Sequence, residues 1–263
     1  MTATTATATA TATRPAGPVL GGAPATAGRV LRQLRHDPRT MVLMLVVPSL
    51  LLGLLYLLWR DLPVSPFDGV GLTMLGVFPF VVMFLVTSIA MLRERTSGTL
   101  ERLLTTPLAR GALLAGYGSA FGLAAVAQAV VTVTVATTLY GLDVRGPLAL
   151  VVLVAVADAV LGVALGLLAS AFARSEFQAV QFMPVVVLPQ FFLCGLLVPR
   201  EQMAGWLQAV SDVLPLTYAV EALQELGRSE TVTGRMWTDV AVVAVAAALA
   251  LALAAATLRR RSS

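Results

Sequence analysis

The charged residues with the most regular spacing lie in an island, RERTSGTLERLLTTPLAR at 93–110, set between two long apolar runs. Glu94 and Glu101 are seven positions apart, as are Arg95 and Arg102, so at about 100° per residue each pair falls on one face of a helix. Leu100, Leu104 and Leu108 make a separate apolar row. A short segment with one greasy row and one charged face, tethered at both ends to membrane spans, suits lying at the membrane surface and touching a soluble partner. Its chemistry is docking: Glu94, Glu101 and Arg102 would form charge pairs, while Gly98 permits a close backbone approach that fixes register. The alternative is a solvated loop helix whose charges keep it out of the bilayer.

Bond-making chemistry is constrained by counting. All eighteen basic residues are arginines, and a P-loop needs a lysine to reach nucleotide phosphates, so any ATP must be hydrolysed by another subunit. An HExxH zinc site needs two histidines, and His36 is the single one. His36 also sits beside Pro38 in a basic segment, outside any span, which disfavours a Ser-His intramembrane hydrolase. Cys194 is the single cysteine, so no intrachain disulfide forms, and the residue reads as a small buried apolar group. No catalytic residue, metal ligand or cofactor site is expected in this chain.

Asp158 interrupts an apolar run, where an ionisable group costs at least about 2.5 kcal/mol unless paired or watered. It either lines a transport path or is held neutral or hydrogen-bonded between helices. Gln128, Gln181 and Gln190 read as interhelical hydrogen-bonding groups. Pro184 and Pro189 each remove a backbone donor and should bend their span, a useful property in a gate. Glu221 and Glu225, four apart, either attract a cationic substrate at an exit or keep a helix end in water.

The elements that must position these groups are membrane helices. Hydrophobic residues make up 58% and charged residues 12% of the chain, about half the charge content of a soluble domain, and the Ala, Val and Leu excess favours helices over a barrel. Residues 1–25, a Thr/Ala alternation followed by Pro and Gly, read as a disordered tail with no signal peptide. From Gly28 to His36, Val30, Leu31 and Leu34 oppose Arg29, Arg32, Arg35 and His36. This is a basic amphipathic helix, either interfacial or a topology-setting flank. Six apolar runs of membrane-spanning length follow, at about 41–59, 72–92, 111–139, 148–173, 179–198 and 240–258. Alternate connections carry thirteen arginines against five, which puts both termini and 93–110 in the cytoplasm. The external segment 199–239 holds two apolar stretches too short to span, broken by Pro199 and Pro215. They fit a re-entrant hairpin or a surface-lying helical pair.

The run from Glu94 to Pro107, E-R-x-S-G-T-L-E-R-L-L-x-T-P, resembles the cytoplasmic coupling segment of ABC-2-type transporter permeases, and most of all the daunorubicin-type drug-resistance branch. The resemblance continues through Phe191-Phe192-Leu193-Cys194-Gly195, Pro199, Leu214-Pro215-Leu216-Thr217-Tyr218 and Glu221-Ala222-Leu223. It implies an all-α integral membrane domain over 26–263: six transmembrane helices, an N-terminal interfacial amphipathic helix, and an external re-entrant helical hairpin between the fifth and sixth. It also implies a permease of a bacterial plasma-membrane exporter, working as a homodimer or heterodimer with two copies of a separate ATPase that bind ATP and Mg. In that setting Glu94, Gly98, Glu101, Arg102, Leu104 and Pro107 would couple to the ATPase. The cargo would be a drug or small hydrophobic molecule, and no nucleic-acid partner is expected. A glycan or lipid-linked polymer exporter of the same superfamily should line its path with aromatics, which are sparse here. An ion-coupled secondary transporter should show several intramembrane acids, and Asp158 alone qualifies.

Overall fold

The computed structural model describes residues 22–63, 65–97 and 110–260. Among them every regular element is helical: α1 (Ala23–His36), α2 (Pro38–Trp59), α3 (Phe67–Thr96), α4 (Arg110–Thr138), α5 (Leu148–Ser170), α6 (Glu176–Leu193), a 3-10 turn (Arg200–Gln202), α7 (Gly205–Ser211), α8 (Pro215–Arg228) and α9 (Gly234–Arg260). Six helices are long and apolar enough to cross a membrane: Pro38–Trp59, Phe67–Thr96, Gly111–Thr138, Leu148–Ser170, Glu176–Leu193 and Gly234–Thr257. These are the six runs expected from sequence, with shifted ends.

The shifts have local causes. Asp37 accepts hydrogen bonds from the Thr40 amide (3.3 Å) and hydroxyl (2.6 Å) and Pro38 fills the first turn, so α2 starts before its apolar run. α6 stops at Leu193 because the chain turns at Gly195, whose φ of 89° suits glycine. α1 starts at Ala23, earlier than the amphipathic pattern, with Pro24 in its first turn and the Thr26 hydroxyl bonded to Gly22 O. Residues 23–25 are therefore helical, where a disordered tail was expected to run to residue 25.

α3 and α5 form the centre and pack on each other most extensively. Glycines make this possible: a Cβ at Gly162 would stand 2.4 Å from the Phe80 carbonyl oxygen, and one at Gly166 2.6 Å from that of Phe84. Small residues four apart let two membrane helices approach backbone to backbone. α2 and α4 pack on α3 and on each other, α6 and α8 pack on α3, and α9 packs on α5, α8 and α4. Exposed Leu43, Leu50, Leu54 and Leu58 on α2, and Val245, Leu249 and Leu253 on α9, form outward aliphatic stripes suited to lipid.

The two 14-residue amphipathic helices close opposite ends. α1 lies on α4 beside the C-terminus of α3, and α8 packs on α3, α5 and α9 with Leu223 against Gly76. Gly76 is nine residues into α3, so α8 reaches about 13 Å along that helix from its start.

Candidate functional site

The last turn of α3 holds a connected set of polar contacts. Arg93, Glu94 and Arg95 are consecutive, so they point in three directions around the helix. Arg93 makes a two-pronged ion pair with Glu176 at the start of α6, with Nε to Oε1 at 2.8 Å and Nη2 to Oε2 at 3.0 Å. Arg95 donates to the Ser170 carbonyl at the end of α5. Glu94 turns inward, 9% exposed, and its Oε1 accepts from Arg29 Nη1 (3.1 Å) and Gln33 Nε2 (3.3 Å) of α1. Three neighbouring side chains thus hold three different helices. They are the first three residues of the charged island at 93–110.

Arg29 completes the α1 contact by donating to the Tyr117 hydroxyl of α4, with its guanidinium 5.6 Å from that ring's centre. Burial works against the charge of Arg29, but Tyr117 and Glu94 outweigh it and hold its pKa above the usual arginine value. Nearby, Thr26 leaves no room for a Cβ at Gly116, which would sit 2.5 Å from the Thr26 Cβ. α1 shows the expected two faces: Val30 and Leu34 are buried, while Arg32, Arg35 and His36 are exposed.

Of the sequence candidates for coupling, Glu94 is described, and its carboxylate faces α1. Gly98, Glu101, Arg102, Leu104 and Pro107 lie outside the described residues. Asp158 is fully buried, neither carboxylate oxygen has a hydrogen-bond partner, and Oδ2 would stand 3.3 Å from a Cβ at Gly76. It faces the contact between α3 and α8. Gln190 bonds between helices as expected, accepting from the Leu216 amide at 3.3 Å. Gln128 is buried without a partner, and Gln181 is exposed. Pro184 and Pro189 both sit within α6 on its exposed side, and Cys194 is buried.

At the α8 end, Glu221 is held by Arg200 Nη1 (2.7 Å) and Arg235 Nη2 (2.9 Å), and Arg200 also pairs with Asp212. Glu225 Oε1 accepts from the Thr233 amide (3.0 Å) and hydroxyl (2.7 Å) just ahead of α9. Both acids are engaged within the chain. Sequence reasoning missed Arg29 and Gln33 as partners of Glu94, Tyr117 as a partner of Arg29, and Arg200 and Arg235 as partners of Glu221. The basic arc of α1 was the available signal for the first set, but a lone Tyr in an apolar run carries none. No group of three or more His, Cys, Asp or Glu residues suits a metal ion among the described residues.

Six membrane-length helices among the described residues, tied to one another by charged contacts at their ends, define a multi-pass membrane protein. The family model of the ABC-2 type transporter matches residues 25–227, and the chain belongs to that family. It is 25% identical over 168 residues to the probable multidrug ABC transporter permease YbhR of Escherichia coli, covering 64% of this chain and 46% of that protein. It is 27% identical over 147 residues to the related permease YbhS, covering 56% and 39%. It is also 28% identical over 155 residues to ABC transporter G family member 20 of Dictyostelium discoideum, covering 58% and 21%. The chain thus spans less than half the length of each of these relatives. Membership makes it an ABC transporter membrane subunit.

Proposed function

We propose that this subunit serves an ATP-driven exporter of drugs or small hydrophobic molecules, with two copies of a separate ATPase docked at the α1 end of a permease dimer. The observation that carries the reading is the three-way grip of Arg93, Glu94 and Arg95 on α6, α1 and α5. A push on 98–109 would be passed at once to three helices. Gly98, Glu101, Arg102, Leu104 and Pro107 are the partner-facing residues in this reading, and Glu94 acts through α1. The arginine asymmetry supports a cytoplasmic α1 end and cytoplasmic termini in a bacterial plasma membrane. The depth of α8 along α3 supports a re-entrant hairpin on the external side, where Asp158 would lie beneath α8 on the outward path. The names of the two bacterial relatives support a multidrug cargo.

The test is reconstitution. The purified chain goes into liposomes with and without an ABC ATPase that co-purifies with it from its native membrane, and ATP-dependent movement of a hydrophobic fluorophore is followed. Transport should require both proteins. Equal ATP-independent transport by the chain alone would overturn the reading.

A further inference from the structure

Between α1, α2, α3 and α4 lies a cavity of about 630 Å³, within the range of small-molecule sites. Its walls are graded. Val47, Val82, Leu85, Val86 and Phe121 make an apolar body, while Gln33, Thr40, Glu94 and Tyr117 gather at the α1 end. From Val82 to Glu94 the wall runs twelve residues of α3, about 18 Å. Leu43, 57% exposed on the outward face of α2, stands in the lining, so the cavity reaches the lipid-facing surface.

The charges at its polar end are already used. Arg93 is paired with Glu176, Glu94 with Arg29, and Asp37 is bonded by Thr40. An anionic ligand would find no free counter-ion there and would leave its charge against apolar walls, while a cationic one would find only Asp37, whose carboxylate already caps α2 through Thr40. A lipid phosphate would also face the carboxylates of Asp37 and Glu94. One acceptor is left over: Glu94 Oε2 is buried and accepts nothing.

We propose that this cleft is a binding site for an uncharged small molecule with an apolar body and an N–H or O–H group at one end, entering from the bilayer and seated with that group toward Glu94 and Tyr117. The proposal deepens the exporter reading and rests on it for physiological meaning, but its test needs no ATP.

In a Cys194→Ser background, Ile89→Cys puts a thiol on the cleft wall and Leu54→Cys puts one on the outward face of α2. Each full-length variant is treated with N-ethylmaleimide in nanodiscs, with and without N-phenyl-1-naphthylamine. Saturable protection is expected at position 89 and none at 54, and adding Val86→Phe should raise the half-protecting concentration about tenfold or more. Equal slowing at both positions, or protection unchanged by Val86→Phe, would overturn the site. Native mass spectrometry of the same samples supplies a second arm: a stoichiometric phospholipid retained by the parent and lost with Val86→Phe would assign the cleft to a lipid and overturn the small-molecule proposal. Lost protection with intact export would remove this site alone, while intact protection without ATP-dependent export would remove the exporter reading alone.

Discussion

α1 and α8 have the same length and a similar division between apolar and polar faces, yet they are held differently. α8 buries Leu216, Ala219, Val220, Ala222, Leu223 and Leu226, bonds to Thr73, Gly146 and Gln190, and anchors Glu221 between two arginines. α1 buries Thr26, Val30 and Leu34, lies over a cavity, and is tied to α3 through Glu94. The first is a wedge built into the bundle, and the second packs its apolar side on α4 and reaches α3 through polar contacts. Elements that move are drawn from the less stable parts of a fold, and in the proposed reading α1 is the helix that answers to a push on α3.

The largest effect should come from thinning the wedge. Leu223→Ala removes packing against Gly76 and is expected to cost about 2–5 kcal/mol. Leu34→Ala in α1 should cost less, because that residue borders the cavity. Thermal unfolding in detergent compares the two, and an equal loss would erase the distinction between the two helices. Next is the polar tie. Arg29→Ala leaves Glu94 buried beside Tyr117 without its ion-pair partner, a penalty of about 1–3 kcal/mol, felt locally. Hydrogen exchange should quicken across α1 and stay unchanged across α8, whereas a uniform increase would mean that α1 is an integral part of the bundle.

The smallest effect concerns the joint between α1 and α2. Thr40, bonding through its hydroxyl and its amide, holds the Asp37 carboxyl below the usual carboxylate range. A depressed pKa contributes stability that is present above the unfolded value of about 3.9 and is lost only as pH falls through the lower folded value. Exchange in the first turn of α2, corrected for its intrinsic pH dependence, should therefore match at pH 7 and pH 5. Asp37→Ala should raise it at both. A rise between pH 7 and pH 5 in the parent chain would show that the cap is not the ionised carboxylate.

The same contrast explains what the sequence could reveal. The spans were legible because each is a long apolar run, and α1 because its arginines oppose its leucines. The inward turn of Glu94 was not legible: its spacing with Glu101 suggested a shared outer face, but the partners that claim it, Arg29 and Gln33, are distant in sequence. Glu221 and Glu225 likewise read as free acids until Arg200, Arg235 and Thr233 were seen beside them. Asp158 was found by its apolar surroundings. Its orphaned carboxylate under α8 required the packing of α3 and α5, which the glycines at 162 and 166 make possible; their four-residue spacing signals a close helix contact but not which helix makes it.

The central claim is that an ATPase drives this subunit through α3 and its grip on α1. Charge exchange across the tie measures it most directly, with ATP hydrolysis coupled to transport as the readout. Arg29→Glu and Glu94→Arg should each uncouple hydrolysis from transport while leaving the chain in the membrane. Together they should recover a substantial part of the coupling, because opposite charges again face each other. Full coupling in either single variant, or no recovery in the double, would contradict the account.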